Sequence, residues 1–199
     1  MANTEELRGK KILVVGFGRS GIGAADALLD LGADVTIQDS KKEEDLPAGQ
    51  IAAFREKGAS FQLGGDCPAE GWDIVVLSPG VSPEIALVQG AKAGGAEVIG
   101  ELELAYRIGH GRYIAITGTN GKTTTTTLTG EIFQKAGRST HVVGNIGTAV
   151  ITASAKAGEE DWMVTECSSF QLETTVFFHP EVSAILNLTP DHLNRHHTM

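Results

Sequence analysis

The chain has 199 residues, and its 16 Lys and Arg against 25 Asp and Glu give a formal net charge of −9, which argues against a basic nucleic-acid-binding protein. With 41% hydrophobic residues and 25 glycines it has the composition of a globular protein, either one large domain or two small ones. Its apolar runs are far shorter than the roughly 20 residues that span a bilayer, and its charged N-terminus lacks the apolar stretch of a secretory signal, so we expect a cytoplasmic protein. Cys67 and Cys167 lie too far apart for a zinc motif, which favours free, reduced thiols.

Short apolar runs alternate with segments of helical length through the first half of the chain, which is typical of a parallel α/β sheet. In the first helical segment Ile22, Ala25, Leu28 and Leu29 form one apolar stripe, and Gly32 follows where helices commonly end. The pattern therefore predicts a domain over residues 1–108, with strands over 11–15, 34–38, 60–63, 72–77 and 97–99 and helices over 21–31, 50–57 and 84–93.

A second α/β series begins after the Gly-His-Gly sequence at 109–111, where we place a domain boundary. The five threonines from Thr123 to Thr127 are poor helix formers, so a stiff, β-biased turn is the alternative to a helix there. Thr189, Pro190 and Asp191 predict the start of a further helix. The predicted elements of this second unit are a helix over 122–135 and strands over 113–117, 140–143, 162–166 and 182–188.

The first glycine-rich sequence, Gly-Phe-Gly-Arg-Ser-Gly at 16–21, lies between a predicted strand and a predicted helix. In that setting the missing side chains let backbone N–H groups approach a diphosphate, and the helix N-terminus adds partial positive charge. Asp39 ends the second strand, where an acidic residue commonly contacts a ribose or a base. NAD is the obvious ligand of this pattern, but another nucleotide diphosphate fits it equally, and a turn that binds nothing is the alternative.

The second glycine-rich sequence, Thr-Gly-Thr-Asn-Gly-Lys-Thr-Thr at 117–124, also joins a predicted strand to a predicted helix. It has the backbone glycines of a Walker A loop, while Lys122 matches its lysine and Thr123 its Mg²⁺-binding hydroxyl. Ile116 stands where the full pattern has glycine, so we interpret the sequence as a shortened phosphate-binding loop. A glycine-rich turn with a solvated lysine is the alternative.

An acidic residue ends the apolar strand predicted at 162–166. There Glu166 is placed as a Walker-B-like carboxylate, which a metal-bound triphosphate requires. Ser168 and Gln171 have the spacing of a capping box, so in the alternative interpretation Glu166 is only the polar end of a strand before a helix. The two interpretations are compatible.

The segment from 187 to 197 concentrates side chains that can bind metal. His192 and His196 have the i, i+4 spacing of one helix face, which is compatible with zinc, but a closed zinc site needs four ligands and no cysteine lies nearby. A histidine-rich surface helix is the alternative. The place of His192 just beyond the carboxyl end of a predicted strand favours a role in ligand binding.

Four motifs in order along the chain, at 118–124, 144–147, 166–173 and 186–193, resemble the Mur ligases of peptidoglycan synthesis. Two further sequences, Ser-Ser-Phe-Gln-Leu-Glu at 168–173 and Ser-Pro-Gly-Val-Ser-Pro at 78–83, are similar to those of the members that add D-glutamate. The resemblance implies a Rossmann-like parallel sheet domain over 1–108 and the first part of a P-loop ATPase-type α/β domain over 109–199. It implies that a C-terminal amino-acid-binding domain is absent from this chain.

The activity implied by the resemblance is that of an ATP-dependent amide ligase. Such an enzyme uses ATP to phosphorylate the carboxylate of UDP-N-acetylmuramoyl-L-alanine, and the amine of D-glutamate then attacks the acyl phosphate. ATP and Mg²⁺ are the implied cofactors. No nucleic-acid or membrane partner is expected, and the full-length enzyme is expected to be a monomer.

The resemblance also implies a role for individual residues. The UDP-sugar is expected at Gly18, Arg19, Ser20, Asp39, Ser40 and Gly80, and its muramoyl-alanine end at Asn145 and Ser168. The ATP phosphates are expected at Gly118, Thr119, Asn120, Gly121, Lys122, Thr123 and Thr124. One Mg²⁺ is expected at Thr123 and Glu166 and a second at His192, so that the expected catalytic residues are Lys122, Glu166 and His192.

The implied lysine ligand of the second metal and the adenine contacts would lie beyond Met199. We therefore expect a truncated piece that binds the UDP-sugar without catalysing ligation, and whose unpaired sheet edge favours self-association. An NAD-dependent oxidoreductase leaves residues 118–124 unexplained, and a folylpolyglutamate synthetase has no nucleotide-sugar domain before that loop. A non-catalytic nucleotide-binding protein stays open.

Overall fold

The computed structural model describes residues 4–65 and 67–199 and contains two parallel β-sheets. The strands of the first sheet alternate with helices, as the apolar periodicity predicts. Its elements are β1 (Lys11–Val15), α1 (Arg19–Asp30), β2 (Asp34–Asp39), α2 (Ala48–Glu56), β3 (Ser60–Leu63), β4 (Ile74–Leu77), α3 (Ala86–Ala93), β5 (Glu97–Gly100) and α4 (Glu101–Ile108).

The first sheet has the strand order β3-β2-β1-β4-β5, with β1 at its centre. Alternate residues of β1 pack into different apolar clusters, Ile12 and Val14 into one and Leu13 and Val15 into the other, so both faces of the sheet are covered. The chain leaves β1 for β2 on one side and returns to β4 on the other. The carboxyl ends of β1 and β4 therefore flank a topological switch point, where open α/β sheets bind ligands.

The second sheet is also parallel and has the order β7-β8-β6-β9. Its central strands are buried, whereas β9 lies at an edge with Val182 and Ile185 more than half exposed. Self-association through this edge stays a prediction. The elements of this half are β6 (Arg112–Thr117), α5 (Lys122–Lys135), β7 (Thr140–Gly144), α6 (Val150–Ser154), β8 (Trp162–Glu166), α7 (Ser169–Leu172), β9 (Val182–Ile185) and α8 (Leu193–His196).

One apolar core connects the two sheets. Ile12 and Val14 of β1 belong to the same buried cluster as Tyr113 of β6 and Met163 of β8. The joint between the halves consists of α1, α4 and α6, and in it the buried carboxylate of Glu101 accepts a hydrogen bond from the N–H of Ile151 at 2.7 Å. The halves are thus joined by a shared core as well as by the chain.

The α/β fold class and most of the predicted elements are confirmed. The helix Lys122–Lys135 and the strands Ser60–Leu63 and Trp162–Glu166 agree with the prediction at both ends. The β-biased turn considered for the threonine run is wrong, because those residues lie within α5, where Thr126 is buried. Tertiary packing here outweighs a weak helix propensity.

Other predictions need correction. The strand predicted over 182–188 ends at Ile185, and the helix predicted to start at 189–191 begins only at Leu193, after His192 in the left-handed region at φ 49°. Two helices, α4 and α6, were not predicted. In α4 the charged residues Glu101 and Glu103 occupy buried positions, so the sequence lacks a continuous apolar stripe there. Helix α6 has five residues, too few to show a helical period.

The cysteines are free thiols, in agreement with the prediction. Burial, with the nearby carboxylate of Glu166, raises the pKa of Cys167 to about 12, so its thiol stays protonated and unreactive near neutral pH. Within the described residues, the longest and most apolar helices fall short of what a membrane crossing requires.

Candidate functional site

The first glycine loop leaves β1 at the switch point of the first sheet. Gly16 has φ +99°, which glycine alone adopts easily, and Gly18 precedes α1 in an extended conformation. Both carboxylate oxygens of Asp39 accept backbone N–H groups, from Phe17 at 2.7 Å and from Lys41 at 2.9 Å. The acidic residue predicted beside this loop therefore lies against it and holds its backbone.

The other residues predicted to contact a UDP-sugar lie near the first loop, at the carboxyl ends of the strands of the first sheet. Ser40 directly follows β2, and Gly80 follows the end of β4, and both are exposed. Arg19 and Ser20 begin α1. The guanidinium of Arg19 donates a hydrogen bond to the carbonyl oxygen of Gly147 at 2.8 Å and so connects this loop to the second half.

The second glycine loop lies between β6 and α5. Gly118 and Gly121 have φ values of +138° and +84°, and Gly121 is the residue before the first turn of the helix. The ammonium of Lys122 donates to the carbonyl oxygens of Gly118 at 2.7 Å and Thr119 at 3.0 Å, so the side chain folds over its own loop. A cleft of about 290 Å³ lies here, lined by Thr119, Asn120, Gly121, Lys122, Thr123, Thr124, Asn145 and Glu166.

Glu166 lies at the end of β8 next to this loop, with 1% of its surface exposed. One carboxylate oxygen accepts the hydroxyl of Thr123 at 2.9 Å, and the other accepts the amide of Asn145 at 2.9 Å. The pairing of β6 with β8 explains the approach, because Ile116 lies opposite Glu166 in the register. A carboxylate and a hydroxyl oxygen beside a phosphate-binding loop fit Mg²⁺, which takes few protein oxygens and completes its shell with phosphate and water.

Ser168 forms the capping box that its spacing predicts. Its hydroxyl accepts the N–H of Gln171, and the Gln171 side chain accepts the N–H of Ser168. The same hydroxyl also donates to the side-chain oxygen of Gln171 at 3.0 Å. The hydroxyl is thus committed to the helix cap in this structure.

The two histidines predicted at helical spacing both contact Phe170. The ring centroid of His192 is 4.9 Å from that of Phe170, and that of His196 is 5.4 Å away. His196 also contacts the Ser169 hydroxyl at 2.9 Å and the Glu173 carboxylate at 3.3 Å. Across residues 4–65 and 67–199, no three His, Cys, Asp or Glu side chains come together as a metal site. His192 and Glu166 are therefore not members of one such cluster.

Some residues that hold these loops were not predicted. Asn187 and Thr189 contact the second glycine loop, and Gly147 accepts the hydrogen bond from Arg19. Asn187 is part of one of the sequence motifs, but its spacing carries no signal for a contact with a loop 67 positions earlier. Such contacts depend on which strands become neighbours.

Comparisons with known protein families agree with this architecture. The model for the Mur ligase MurD-like N-terminal domain matches residues 10–100, and the model for the Mur ligase middle domain matches residues 116–199. The two matched ranges contain the first and the second glycine loop, respectively.

Curated relatives and a solved structure extend the comparison. The UDP-N-acetylmuramoylalanine--D-glutamate ligases of Alkaliphilus oremlandii and Alkaliphilus metalliredigens are 51% and 50% identical to this chain over 97% and 98% of it, and it covers 43% of each. The chain thus spans less than half the length of these relatives. The crystal structure of UDP-N-acetylmuramate:L-alanyl-gamma-D-glutamyl-meso-diaminopimelate ligase from Neisseria meningitides shares the fold, with a TM-score of 0.56, 19% identity and coverage of 94% of this chain and 63% of that one.

Proposed function

The chain belongs to the Mur ligase family, and on that premise we propose that it forms the nucleotide-sugar and ATP-binding parts of a ligase that adds D-glutamate to UDP-N-acetylmuramoyl-L-alanine. In this proposal residues 1–108 bind the UDP-sugar and residues 109–199 bind ATP. The assignment of D-glutamate rests on the names of relatives that are about half identical to this chain. Activity and substrates are proposals for the whole enzyme.

The observation that carries the proposal is the arrangement around Glu166. Its buried carboxylate accepts hydrogen bonds from Thr123 in the first turn of α5 and from Asn145 in the loop after β7, and it lines the same cleft as Lys122. Among residues 4–65 and 67–199, the partners of the Lys122 ammonium are carbonyl oxygens of its own loop, so it can exchange them for phosphate oxygens without breaking an ion pair there. One cleft therefore contains a cation for phosphates and a carboxylate for a metal.

In the proposed reaction Thr123 and Glu166 hold Mg²⁺, and Lys122 binds the outer phosphate oxygens. When bound, Mg²⁺ offsets the negative charge that gathers as a carboxylate approaches the terminal phosphate. Asn145 keeps the Glu166 carboxylate oriented toward the loop. The Thr123 hydroxyl donates to one carboxylate oxygen, and the Asn145 amide donates to the other. We further propose that Asn145 and Ser168 face the muramoyl-alanine end and that His192 serves a second Mg²⁺.

The first loop has the features expected for the diphosphate of the UDP-sugar. Gly18 and Arg19 are exposed at the start of α1, and a Cβ at Gly18 would meet no atom within 4 Å, so the loop presents open backbone. Helix α1 has twelve residues, and its N-terminal N–H groups carry partial positive charge toward this surface. Ser20, Asp39, Ser40 and Gly80 complete the proposed contacts.

The test is a calorimetric titration of this chain with UDP-N-acetylmuramoyl-L-alanine, with NADH and with ATP plus Mg²⁺, in the same buffer. We expect the UDP-sugar to bind and Gly18→Asp to abolish that binding, because the new carboxylate repels the diphosphate in a position with room for the side chain. Gly49→Asp is the matched control, since Gly49 is exposed, also has open space around it and lies in α2.

Each ligand distinguishes a different class of protein. Binding of NADH without binding of the UDP-sugar would refute the ligase assignment of the first loop and favour an oxidoreductase. Binding of ATP that is insensitive to Mg²⁺ would contradict the proposed metal role of Thr123 and Glu166. Binding of the UDP-sugar that survives Gly18→Asp would move the sugar site away from the first loop.

A further inference from the structure

The segment that follows β9 lies alongside the second glycine loop. Strands β6 and β9 are parallel neighbours, with Thr117 opposite Ile185, so the chain leaves both strands at the same edge of the sheet. Beyond the strand, the N–H of Leu186 still donates to the carbonyl oxygen of Thr117 at 2.9 Å. Residues 186–189 thus continue along the loop after the strand itself has ended.

Asn187 contacts the loop backbone through both ends of its side-chain amide. Its carbonyl oxygen accepts the N–H of Asn120 at 2.9 Å, and its NH₂ group donates to the carbonyl oxygen of Asn120 at 2.9 Å. The backbone carbonyl oxygen of Asn187 accepts the N–H of Thr119 at 3.1 Å. One residue therefore satisfies three backbone groups of the phosphate loop.

Thr119 makes a second reciprocal contact with the same segment. Its hydroxyl accepts the N–H of Thr189 at 3.0 Å and donates to the carbonyl oxygen of Thr189 at 3.1 Å. Gly118 also lies close to the segment, because a Cβ on it would come within 3.1 Å of backbone atoms of Asn187. We call the contacts of Asn187 and Thr189 with Thr119 and Asn120 the loop clamp.

The loop clamp binds the same two peptide groups as Lys122. The ammonium of Lys122 contacts the carbonyl oxygens of Gly118 and Thr119, and Asn187 accepts the N–H groups of Thr119 and Asn120, which belong to those peptide groups and point away from the carbonyl oxygens. The shortened loop lacks the first glycine of the full phosphate-binding pattern, so it has fewer residues of its own with which to stabilise its turn. The neighbouring segment supplies that support.

We propose that Asn187 and Thr119 are positioning residues that hold the phosphate loop, and through it Lys122, in the conformation that binds the nucleotide phosphates. This inference rests on the proposed nucleotide-binding function of the loop. The segment from 186 to 189 continues directly to Asp191 and His192, so the clamp also joins the phosphate loop to the residue proposed for a second Mg²⁺.

The test measures nucleotide affinity and loop protection in the same set of variants of the 199-residue chain. The probes are ATP with Mg²⁺ and tripolyphosphate with Mg²⁺, titrated by calorimetry, and amide hydrogen exchange at Asn120 is followed by NMR. Asn187→Ala removes two side-chain hydrogen bonds, so we expect affinity for both probes to fall about tenfold and exchange at Asn120 to accelerate. Asn194→Ala is the control, because it removes an exposed asparagine in α8, outside the clamp.

Thr119 provides a second, isosteric comparison. Thr119→Val keeps the volume and loses the hydroxyl, and we expect it to weaken binding of both probes about fivefold because both contacts with Thr189 are lost. Thr119→Ser keeps the hydroxyl and should restore most of that affinity. A general loss of packing would affect the serine variant as strongly as the valine variant, which would refute the role of the hydroxyl.

The possible failures are distinguishable. If Asn187→Ala accelerates exchange at Asn120 but binds both probes as tightly as the unmodified chain, the positioning role is refuted while the nucleotide site stands. If the unmodified chain binds neither probe, the proposed function of the loop fails and the positioning role fails with it. Unchanged exchange at Asn120 in Asn187→Ala would refute the clamp itself.

Discussion

The two glycine loops occupy equivalent places, each between a central parallel strand and a helix, yet they are held by different parts of the molecule. The first is supported from both strands next to β1: by the Asp39 carboxylate at the end of β2, and by the Ser78 hydroxyl after β4, which donates to the carbonyl oxygen of Gly16 at 3.3 Å. The second is supported by the segment after β9, through Asn187 and Thr189. A loop pattern alone therefore does not specify what stabilises it.

The loops also differ in the charges that they bring together. The carboxylate of Asp39 is occupied by backbone N–H groups, and the exposed Arg19 extends away to Gly147. In the second loop Lys122 and the buried Glu166 line one cleft. The first arrangement fits the proposed diphosphate of the UDP-sugar, whereas the second fits the proposed site for nucleotide phosphates and a metal ion.

The largest expected effect comes from adding a methyl group at Gly21, where the first glycine loop packs closely against itself. A Cβ at Gly21 would overlap the carbonyl oxygen of Gly16, so Gly21→Ala must displace the backbone and should lower the free energy of unfolding by about 3 kcal/mol. Urea denaturation followed by circular dichroism measures it. Gly18→Ala is the control, because its methyl group meets open space. Equal stability of the two variants would contradict the tight closure of this loop.

Substitution of Lys122 should weaken binding of the ligand proposed for the second loop and leave binding of the ligand proposed for the first loop unaffected. We expect Lys122→Ala to weaken binding of ATP with Mg²⁺ by about a hundredfold, since a charge-assisted contact to phosphate is lost. Binding of the UDP-sugar should be unchanged, because Lys122 lies in the other half. Calorimetry with both ligands measures this, and Lys135→Ala at the exposed far end of α5 is the control. Parallel loss of both ligands would show that the loops are not independent.

The free energy of unfolding should depend on pH through Glu101, which lies in the joint between the halves. Burial, opposed by the N–H groups of Ile151 and Val150, raises the pKa of this carboxyl from 4.5 to about 7. The folded state therefore binds the proton more tightly than the unfolded state. The contribution of Glu101 to the free energy of unfolding is complete below pH 4.5 and is lost as the pH rises through about 7. From pH 5 to pH 8 we expect the unmodified chain to lose up to about 3 kcal/mol relative to Glu101→Gln.

Glu103, two residues further along α4, is the matched control for that experiment. Burial raises its pKa, but the N–H groups of Val176, Phe177 and Phe178 and the Arg107 guanidinium outweigh it and hold the pKa below its ordinary value. Glu103→Gln should therefore cost stability at neutral pH, and the difference should shrink as the pH falls into the acid range. Urea titrations at several pH values measure both variants. The same pH trend in both would contradict the assignment to Glu101.

The smallest expected effect is that of the hydrogen bond between the first glycine loop and the second half of the chain. The hydrogen bond from Arg19 to Gly147 is exposed, so Arg19→Ala should change the free energy of unfolding by less than about 1 kcal/mol. If Arg19 also contacts the diphosphate as proposed, binding of the UDP-sugar should weaken while binding of ATP with Mg²⁺ stays the same. Loss of several kcal/mol of stability would instead make Arg19 a structural link between the halves.

Local features of the sequence determined the strands, most helices and both loops. Strand β8 was predictable to the residue, because an apolar run depends on neighbours in the chain. The capping box of Ser168 and Gln171 was predictable for the same reason. The predicted bounds of α5 also agree, but its threonine run left a turn open that tertiary packing excludes. Helix α4 was not predictable in this way, because its buried Glu101 and Glu103 accept N–H groups of Ile151 and Val176, which are distant in the chain.

Tertiary structure alone decided what holds the site together. Asn187 meets Asn120 across 67 positions, Arg19 meets Gly147 across 128, and Glu101 meets Ile151 across 50. Each contact follows from the order of the strands and from the shared core, which bring distant backbone groups to the same edge. A short sequence window cannot contain both partners of such a contact, whereas a strand, a cap or a glycine turn is complete within one.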